Sequence, residues 1–521
     1  MAKKSFVSGV IILMLAGFAV KICGFIYRIY LSNLIGSEGM GLFQLIAPVY
    51  SLIILTLTSG ISIAVSKMVA GELAQKHIVN LRRITYCALV MVLFGGLIIS
   101  VLFFLNLDFI ANVILKDSRT YYSLLFLIPC IPVIAAASAL KGYFYGMQDM
   151  VPTACSQIVE QLVKIALVMV MAGFIVNKGL DYACALATIG MAIGEIANFL
   201  VLLTVYKVKK KRQRAFKSKE GFLRKRVIAK EIIGTSLPVS FNRFITSIMA
   251  AVEFILIPRR LLLGGLSYTH SMMEYGRLTG MAMPLIFFPS LVTSSLATTL
   301  VPAISEAVSL KNFRLVNYRI SKSVQLTFIL GFIFTGIFLS YPNEIGGLLY
   351  KREKIGGMLY LLAFTCIFTY LQQTLLGILN GLGKQAVSLR NSIIGSTIRI
   401  GFVYFAIPLY GIKGYVFGII ISSACVCILN LLTVVKTTGM AIDLKSWVVK
   451  PGLVGLIMLL ISKYVYSFCG IFSTGYAWNT LMAVTVNVII AIILMIIFGV
   501  LKMEEVRKLL MPFLKAKPSK R

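Results

Sequence analysis

Acidic residues are scarce. Asp and Glu together number 18 against 51 Lys and Arg, and histidine occurs only at His77 and His270, both in expected loops. An integral membrane enzyme would want a carboxylate or metal cluster on an exposed loop. Here the loop acids are few and interleaved with bases, as in Asp108, Lys116, Asp117 and Arg119, or Glu344, Lys351, Arg352, Glu353 and Lys354. Paired cysteines are missing too. The nine Cys stand singly in apolar segments, and Cys425 and Cys427, two apart on an expected helix, point to different faces. They read as small buried apolar residues, so neither a metal nor another cofactor is expected. Long polar segments are absent with one exception, Lys207 to Lys230, and outer connections leave no room for a catalytic domain.

What is present is apolar. The chain of 521 residues is 59% hydrophobic and 13% charged, with a mean hydropathy of +0.92, the composition of an all-α polytopic membrane protein. On a template of about 20 apolar residues per crossing, about fourteen spans are expected: 5–31, 40–69, 84–106, 121–146, 156–176, 182–206, 231–258, 276–305, 319–341, 357–381, 389–410, 414–436, 447–468 and 478–501. Lys3 and Lys4 before an apolar run imitate a secretory signal, but the run passes Lys21 without a small-residue cleavage site and reads as a retained first span. Basic residues favour alternate loops: Lys76, Arg82 and Arg83; Lys141; 207–230; Lys311, Arg314, Arg319 and Lys322; Lys384 and Arg390; Lys436, Lys445 and Lys450; and the tail from Lys502 to Arg521. By the positive-inside rule these loops and both termini are cytoplasmic, in a multi-pass protein of the cell membrane. Residues 207–230 resist translocation and suit anionic lipid at about 1 kcal/mol per basic residue. With one aromatic pair there, Phe216 and Phe222, and no reader motif, no nucleic-acid partner is expected.

The two parts flanking this stretch resemble each other. A shift of 235 places Leu140, Gly142, Gly146, Lys164 and Ile165 on Leu375, Gly377, Gly381, Arg399 and Ile400; a shift of 232 places Gly179 and Asn198 on Gly411 and Asn430; a shift of 239 places Gly41, Ala64 and Ser66 on Gly280, Ala303 and Ser305. The expected domains are a six-helix lobe at 1–206, a basic linker at 207–230, a second six-helix lobe at 231–436, and two further helices with a basic tail at 437–521. Parallel repeats of this kind are a transporter's architecture, with substrate bound between the halves near the midplane.

Charged residues inside spans are the candidate site. Lys21 and Arg28 lie seven apart on one face of the first span. Each costs about 2.5–3.5 kcal/mol at a helix centre, against about 0.3–0.6 returned by each large apolar residue. That span is nearly break-even alone, so its charged face meets a wet cavity or a partner; snorkelling is the alternative for both. Lys67 reads as a snorkelling residue. Glu160 and Lys164 have the i, i+4 spacing of an intrahelical ion pair, whereas the repeat-matched Arg399 has Gly395 in the acid's place. Arg243 beside Asn242, Arg277 after Glu274, and the acids Glu195 and Glu253 complete the set. Span eight, with Pro284, Pro289, Pro302 and many hydroxyls, is expected to be kinked and shielded from lipid, and span two, with Pro48, is its partner. If Lys21, Arg28, Lys164, Arg243, Arg277 and Arg399 share a cavity, it is cationic and suits a pyrophosphate, which arginine binds bidentately.

The stretches KICGFIYRIYLSNLIGSEGMGLFQLIAP and ISIAVSKMVAGE resemble the amino-terminal signature of the stage V sporulation protein B group, polysaccharide-export members of the multidrug/oligosaccharidyl-lipid/polysaccharide superfamily. The resemblance implies a V-shaped bundle of two six-helix lobes. It also implies an undecaprenyl-linked sugar as substrate, lipid II for spore-cortex peptidoglycan. The related MurJ-type lipid II flippases keep basic residues in span one and at the start of span eight; Lys21 in KICGF and Arg277 in YGRLTG occupy such places. Tyr27 stands where that pattern has Arg, with Arg28 one residue on, and Gly280 stands where it has an acid. By the same resemblance, 447–501 would hold the polyprenyl tail. The expected function is a flippase for a polyprenyl-linked anionic glycolipid. A cation-coupled exporter, drawing on Glu195 and Glu253, and a non-transporting scaffold with cell-wall synthesis proteins as partners are the alternatives.

Overall fold

A backbone in hydrocarbon must satisfy its own polar groups, which leaves helices or closed barrels. The computed structural model describes residues 6–75, 77–175, 179–213, 223–351, 353–472 and 475–501, and these form helices with no strand among them. They pack into two compact units, Met1–Gly280 and Met281–Arg521.

The first unit is built on α1, Phe6–Ala74. At 1.5 Å per residue it would be about 100 Å long if straight, far beyond a hydrocarbon core of about 30 Å. Gly36 breaks it, with φ at 70°, a left-handed conformation that glycine adopts without a side-chain penalty. The first two expected spans are the arms on either side. There follow α2 (Ile78–Leu105), α3 (Tyr121–Leu127) and α4 (Cys130–Gly146), α5 (Val151–Ile175), α6 (Leu180–Gln213), α7 (Lys225–Leu263) and α8 (Tyr268–Gly276). The pair α3 and α4 is one expected span, bent by 43° around Pro129. Helix α7 packs along α1, and Ala64, Val65, Leu140, Tyr143, Phe144, Ile228 and Ile232 from α1, α4 and α7 share one core.

Expected span eight is broken as its prolines suggest: α8 runs into a π-helical turn, Arg277–Ala282, then α9 (Met283–Phe287) and α10 (Ser290–Ser309). The second unit continues with α11 (Phe313–Ser340), α12 (Pro342–Leu349), α13 (Gly356–Ala363) and α14 (Thr365–Gly381), which form a pair bent by 51°, α15 (Gln385–Phe405), α16 (Ile412–Thr438), α17 (Lys450–Phe472) and α18 (Tyr476–Ile497). The glycines matched by the 235-residue shift sit at matching helix crossings. A Cβ on Gly142 would lie 2.7 Å from Ser62 O, and one on Gly377 2.5 Å from Ala297 O. Ser62 and Ala297 are themselves 235 apart, so the repeat is written in backbone contact as well as in residue identity.

By length and apolarity nine described helices suffice to cross a membrane, or eleven with the two bent pairs. Each of the expected stretches overlaps a described helix. The lower count takes α1 as one crossing and omits α7 and α15, the helices that carry Arg243, Glu253 and Arg399.

Both described ends of the basic stretch are held by the first unit. Lys209 pairs with Asp149, and its ammonium lies 5.3 Å from the ring centroid of Phe144. At the far end Leu223 N donates to Asn80 Oδ1 at 3.2 Å and Arg83 Nη1 donates to Leu223 O at 3.1 Å. Residues 214–222, Lys3, Lys4, Lys76, Arg352 and the tail 502–521 lie outside the described residues.

Candidate functional site

Arg28 and Gln44 stand eight residues before and eight after Gly36. In a straight helix they would be about 24 Å apart; instead Arg28 Nη2 donates to Gln44 Oε1 at 3.1 Å, because the chain turns back between them. Gln44 is buried and bonded through both ends of its amide. Its Nε2 donates to Thr279 O at 2.7 Å, and Tyr275 Oη donates to Gln44 O at 3.1 Å. The approach depends on glycine at both partners: a Cβ on Gly41 would sit 2.2 Å from Met272 O, and one on Gly276 1.9 Å from Ser37 O. Arg28 is thereby connected, through one amide, to the turn that carries Arg277.

Tyr27, the residue next to Arg28, is buried, and Lys164 Nζ lies 5.2 Å from its ring centroid. One turn earlier Gly24 admits α5, since a Cβ there would be 3.1 Å from Gln161 Nε2. The intrahelical pair expected from the spacing of Glu160 and Lys164 is not closed; no contact between them reaches ion-pair distance among the described residues. The cause is a closer competitor on each side. Lys164 is over the Tyr27 ring, and Glu160 Oε2 accepts from Asn198 Nδ2 at 2.8 Å, which also reaches Glu195 Oε2 at 3.2 Å. Gly194 allows this, because its missing Cβ would fall 2.9 Å from the backbone carbonyl oxygen of Glu160, so α6 crosses α5 at that residue. In the second unit Asn430, the counterpart of Asn198, accepts from Asn391 at 2.8 Å.

Arg277 is half-buried and pairs with Glu274 Oε1 at 3.0 Å. It opens the π-helical turn, an irregularity that often marks functional positions in helices. Lys21 and Arg243 are exposed, while Glu253 is buried. The first unit thus brings Arg28, Lys164, Glu160 and Glu195 together around Tyr27 and Asn198 and links Arg277 to them through Gln44. Arg399 belongs to the second unit, where its Nη2 donates to Ser396 Oγ at 3.1 Å. Among the described residues no three His, Cys, Asp or Glu side chains converge as metal ligands would.

The sequence shows a second polar cluster of the first unit only as loop charge compensation. Arg119 donates to Glu38 Oε1 at 2.7 Å and to Asp117 Oδ2 at 2.9 Å, and its guanidinium carbon lies 5.7 Å from the Tyr268 ring centroid. Tyr268 Oη donates to the same Asp117 carboxylate. Glu38 sits two residues after Gly36, so this cluster joins the turn of α1 to the segment preceding α3 and to the first residue of α8. Glu38 and Tyr268 are too far from Asp117 and Arg119 in sequence for any local spacing to bring them together.

Residues 6–308 match the model of a family described as polysaccharide biosynthesis protein. The chain belongs to that family. This member is 31% identical over 518 residues to Stage V sporulation protein B of Bacillus subtilis (strain 168), covering 98% of each chain. It is 24% identical over 530 residues to lipid II flippase MurJ of the same organism, covering 89% of this chain and 94% of the other. Among solved structures, lipid II flippase MurJ in its inward closed conformation matches with a TM-score of 0.69 at 15% identity, covering 97% of this chain and 100% of that one; this likeness shows the fold. The protein is a multi-pass membrane protein of a polysaccharide biosynthesis family, and its named relatives include a flippase rather than enzymes.

Proposed function

We propose that this protein is a flippase. It carries an undecaprenyl-pyrophosphate-linked peptidoglycan precursor, lipid II or a related lipid-linked oligosaccharide, across the cytoplasmic membrane by alternating access, for spore-cortex or cell-wall synthesis. The observation that supports it best is the gathering of Arg28 and Lys164 at Tyr27 with Arg277 connected through Gln44. Cationic groups held on packed helices suit a pyrophosphate. The head group is taken up from the cytoplasmic side, where 207–230 and both termini lie against anionic lipid, while the polyprenyl chain stays in the bilayer along 447–501. The six-helix repeats at 1–206 and 231–436 are the moving parts of this scheme.

The test is translocation of labelled lipid II in proteoliposomes by wild type, Arg28→Ala, Arg277→Ala and Arg399→Ala. Each variant is expected to flip at least about tenfold more slowly, the loss of one charge-assisted hydrogen bond, with unchanged incorporation into the vesicles. Normal flipping by all three would remove the cavity assignment. Inactive wild type would remove lipid II as the substrate. The sharing of Asn198 by Glu160 and Glu195 favours one second reading, a cation-coupled exporter of small molecules. Dye efflux driven by an ion gradient, without lipid II movement, would select it.

A further inference from the structure

Lys463 is the only charged residue of α17 beyond Lys450. A lysine within an apolar helix is disfavoured wherever lipid surrounds it, which makes it a functional candidate with a partner to be named. It lines a cavity of about 160 Å³ together with Ser340, Tyr341, Glu344, Tyr466 and Ser467, wholly within the second unit. Lys463, Tyr466 and Ser467 share one face of α17 by their i, i+3, i+4 spacing; the rest come from the junction of α11 and α12.

The walls are fixed. Tyr341 Oη donates to Ser462 O at 3.1 Å and accepts from Asn487 Nδ2 at 3.1 Å, and its ring lies 6.0 Å from that of Tyr466. Tyr476 Oη reaches Glu344 O at 3.2 Å, which ties α18 to α12. The polar groups facing this frame are unused. Glu344 and Lys463 line the same space without ion-pairing, neither side chain has another hydrogen-bond partner among the described residues, and Ser340 Oγ is buried with no partner. An ammonium, a carboxylate and hydroxyls held apart around a cavity complement a ligand carrying both charges.

Size and position narrow that ligand. Sites for drug-sized molecules span about 300–1,000 Å³, so a cavity of about 160 Å³ suits a small polar group. Tyr464 of α17 and Trp478 of α18 are 78% and 69% exposed, and exposed Tyr and Trp are enriched at membrane–water interfaces, where lipid head groups lie. We infer that Lys463 and Glu344 form a binding site for the zwitterionic amine–phosphate head group of a membrane lipid. The phosphate is held by Lys463 and the serine hydroxyls, and the primary amine donates to Glu344.

The test is native mass spectrometry of the delipidated full chain titrated with phosphatidylethanolamine, phosphatidylcholine or phosphatidylglycerol. Wild type is expected to retain phosphatidylethanolamine at about tenfold lower concentration than the other two. Lys463→Met and Glu344→Gln lose that preference, while Lys463→Arg and Glu344→Asp keep it, which separates loss of the site from loss of the fold. Equal retention of the three lipids by wild type overturns the inference, as does undiminished preference in Lys463→Met and Glu344→Gln. Displacement of the lipid by water-soluble phosphoethanolamine at matched concentration would also overturn it, because the ligand would then come from solution.

Discussion

Gly276→Ala will leave little folded protein in the membrane fraction, whereas Gly71→Ala will accumulate normally. A Cβ at 276 would stand 1.9 Å from Ser37 O and 2.6 Å from Gly41 N. Both are backbone atoms at a helix crossing, so no rotamer change relieves the overlap. Overpacking that flexible side chains can absorb already costs about 1–3 kcal/mol; obstruction by main chain exceeds this and separates α8 from α1. At Gly71 nothing lies within 4 Å of the added methyl, and alanine gains up to about 1 kcal/mol of helix propensity. Yield by gel filtration and the thermal midpoint of detergent-solubilised protein report both. A Gly276→Ala protein that melts with wild type would sink the claim that α1 and α8 touch through backbone.

Arg119→Ala is expected to destabilise the protein by about 3 kcal/mol, the low end for a broken buried ion pair, because Tyr268 Oη and the backbone N–H of residue 119 still donate to Asp117. The Asp117 side chain is 3% exposed and the Arg119 contact is its ion pair, so removing the guanidinium leaves a buried carboxylate without its countercharge. Arg119→Lys keeps the charge but not the fork that spans Asp117 and Glu38, and falls between. The double variant Arg119→Ala/Asp117→Asn should lose less than the sum of the two singles, because residues in one network couple by about 0.5–3 kcal/mol. Thermal or denaturant unfolding of the four proteins decides the matter; additivity would mean that the contact contributes nothing.

Helices were legible because lipid leaves a span few choices: apolar runs of sufficient length had to be helical, and the prolines of span eight announced its interruption. The site was legible as a list of charges and only partly as an arrangement. Lys164 illustrates the gap. Its spacing from Glu160 is a local rule, but Gly24 and Gly194 admit Tyr27 and Asn198, and these contacts displace the pair. The cluster of Glu38, Asp117, Arg119 and Tyr268 was illegible for a different reason: its closest-spaced members looked like an exposed loop pair, and the turn at Gly36 that brings Glu38 to them is visible only in the folded chain. Lys463 is a single lysine in a long apolar run, with nothing in its own helix to answer it.

The bond between Arg28 and Gln44 also bears on how the chain is made. Arg28 emerges from the ribosome sixteen residues before the amide that will accept from it, and the arm that carries it is close to indifferent between water and lipid on its own. The two arms of α1 are therefore expected to enter the bilayer together as a hairpin folded at Gly36, and a chain cut before Gln44 to insert less completely than one cut after it.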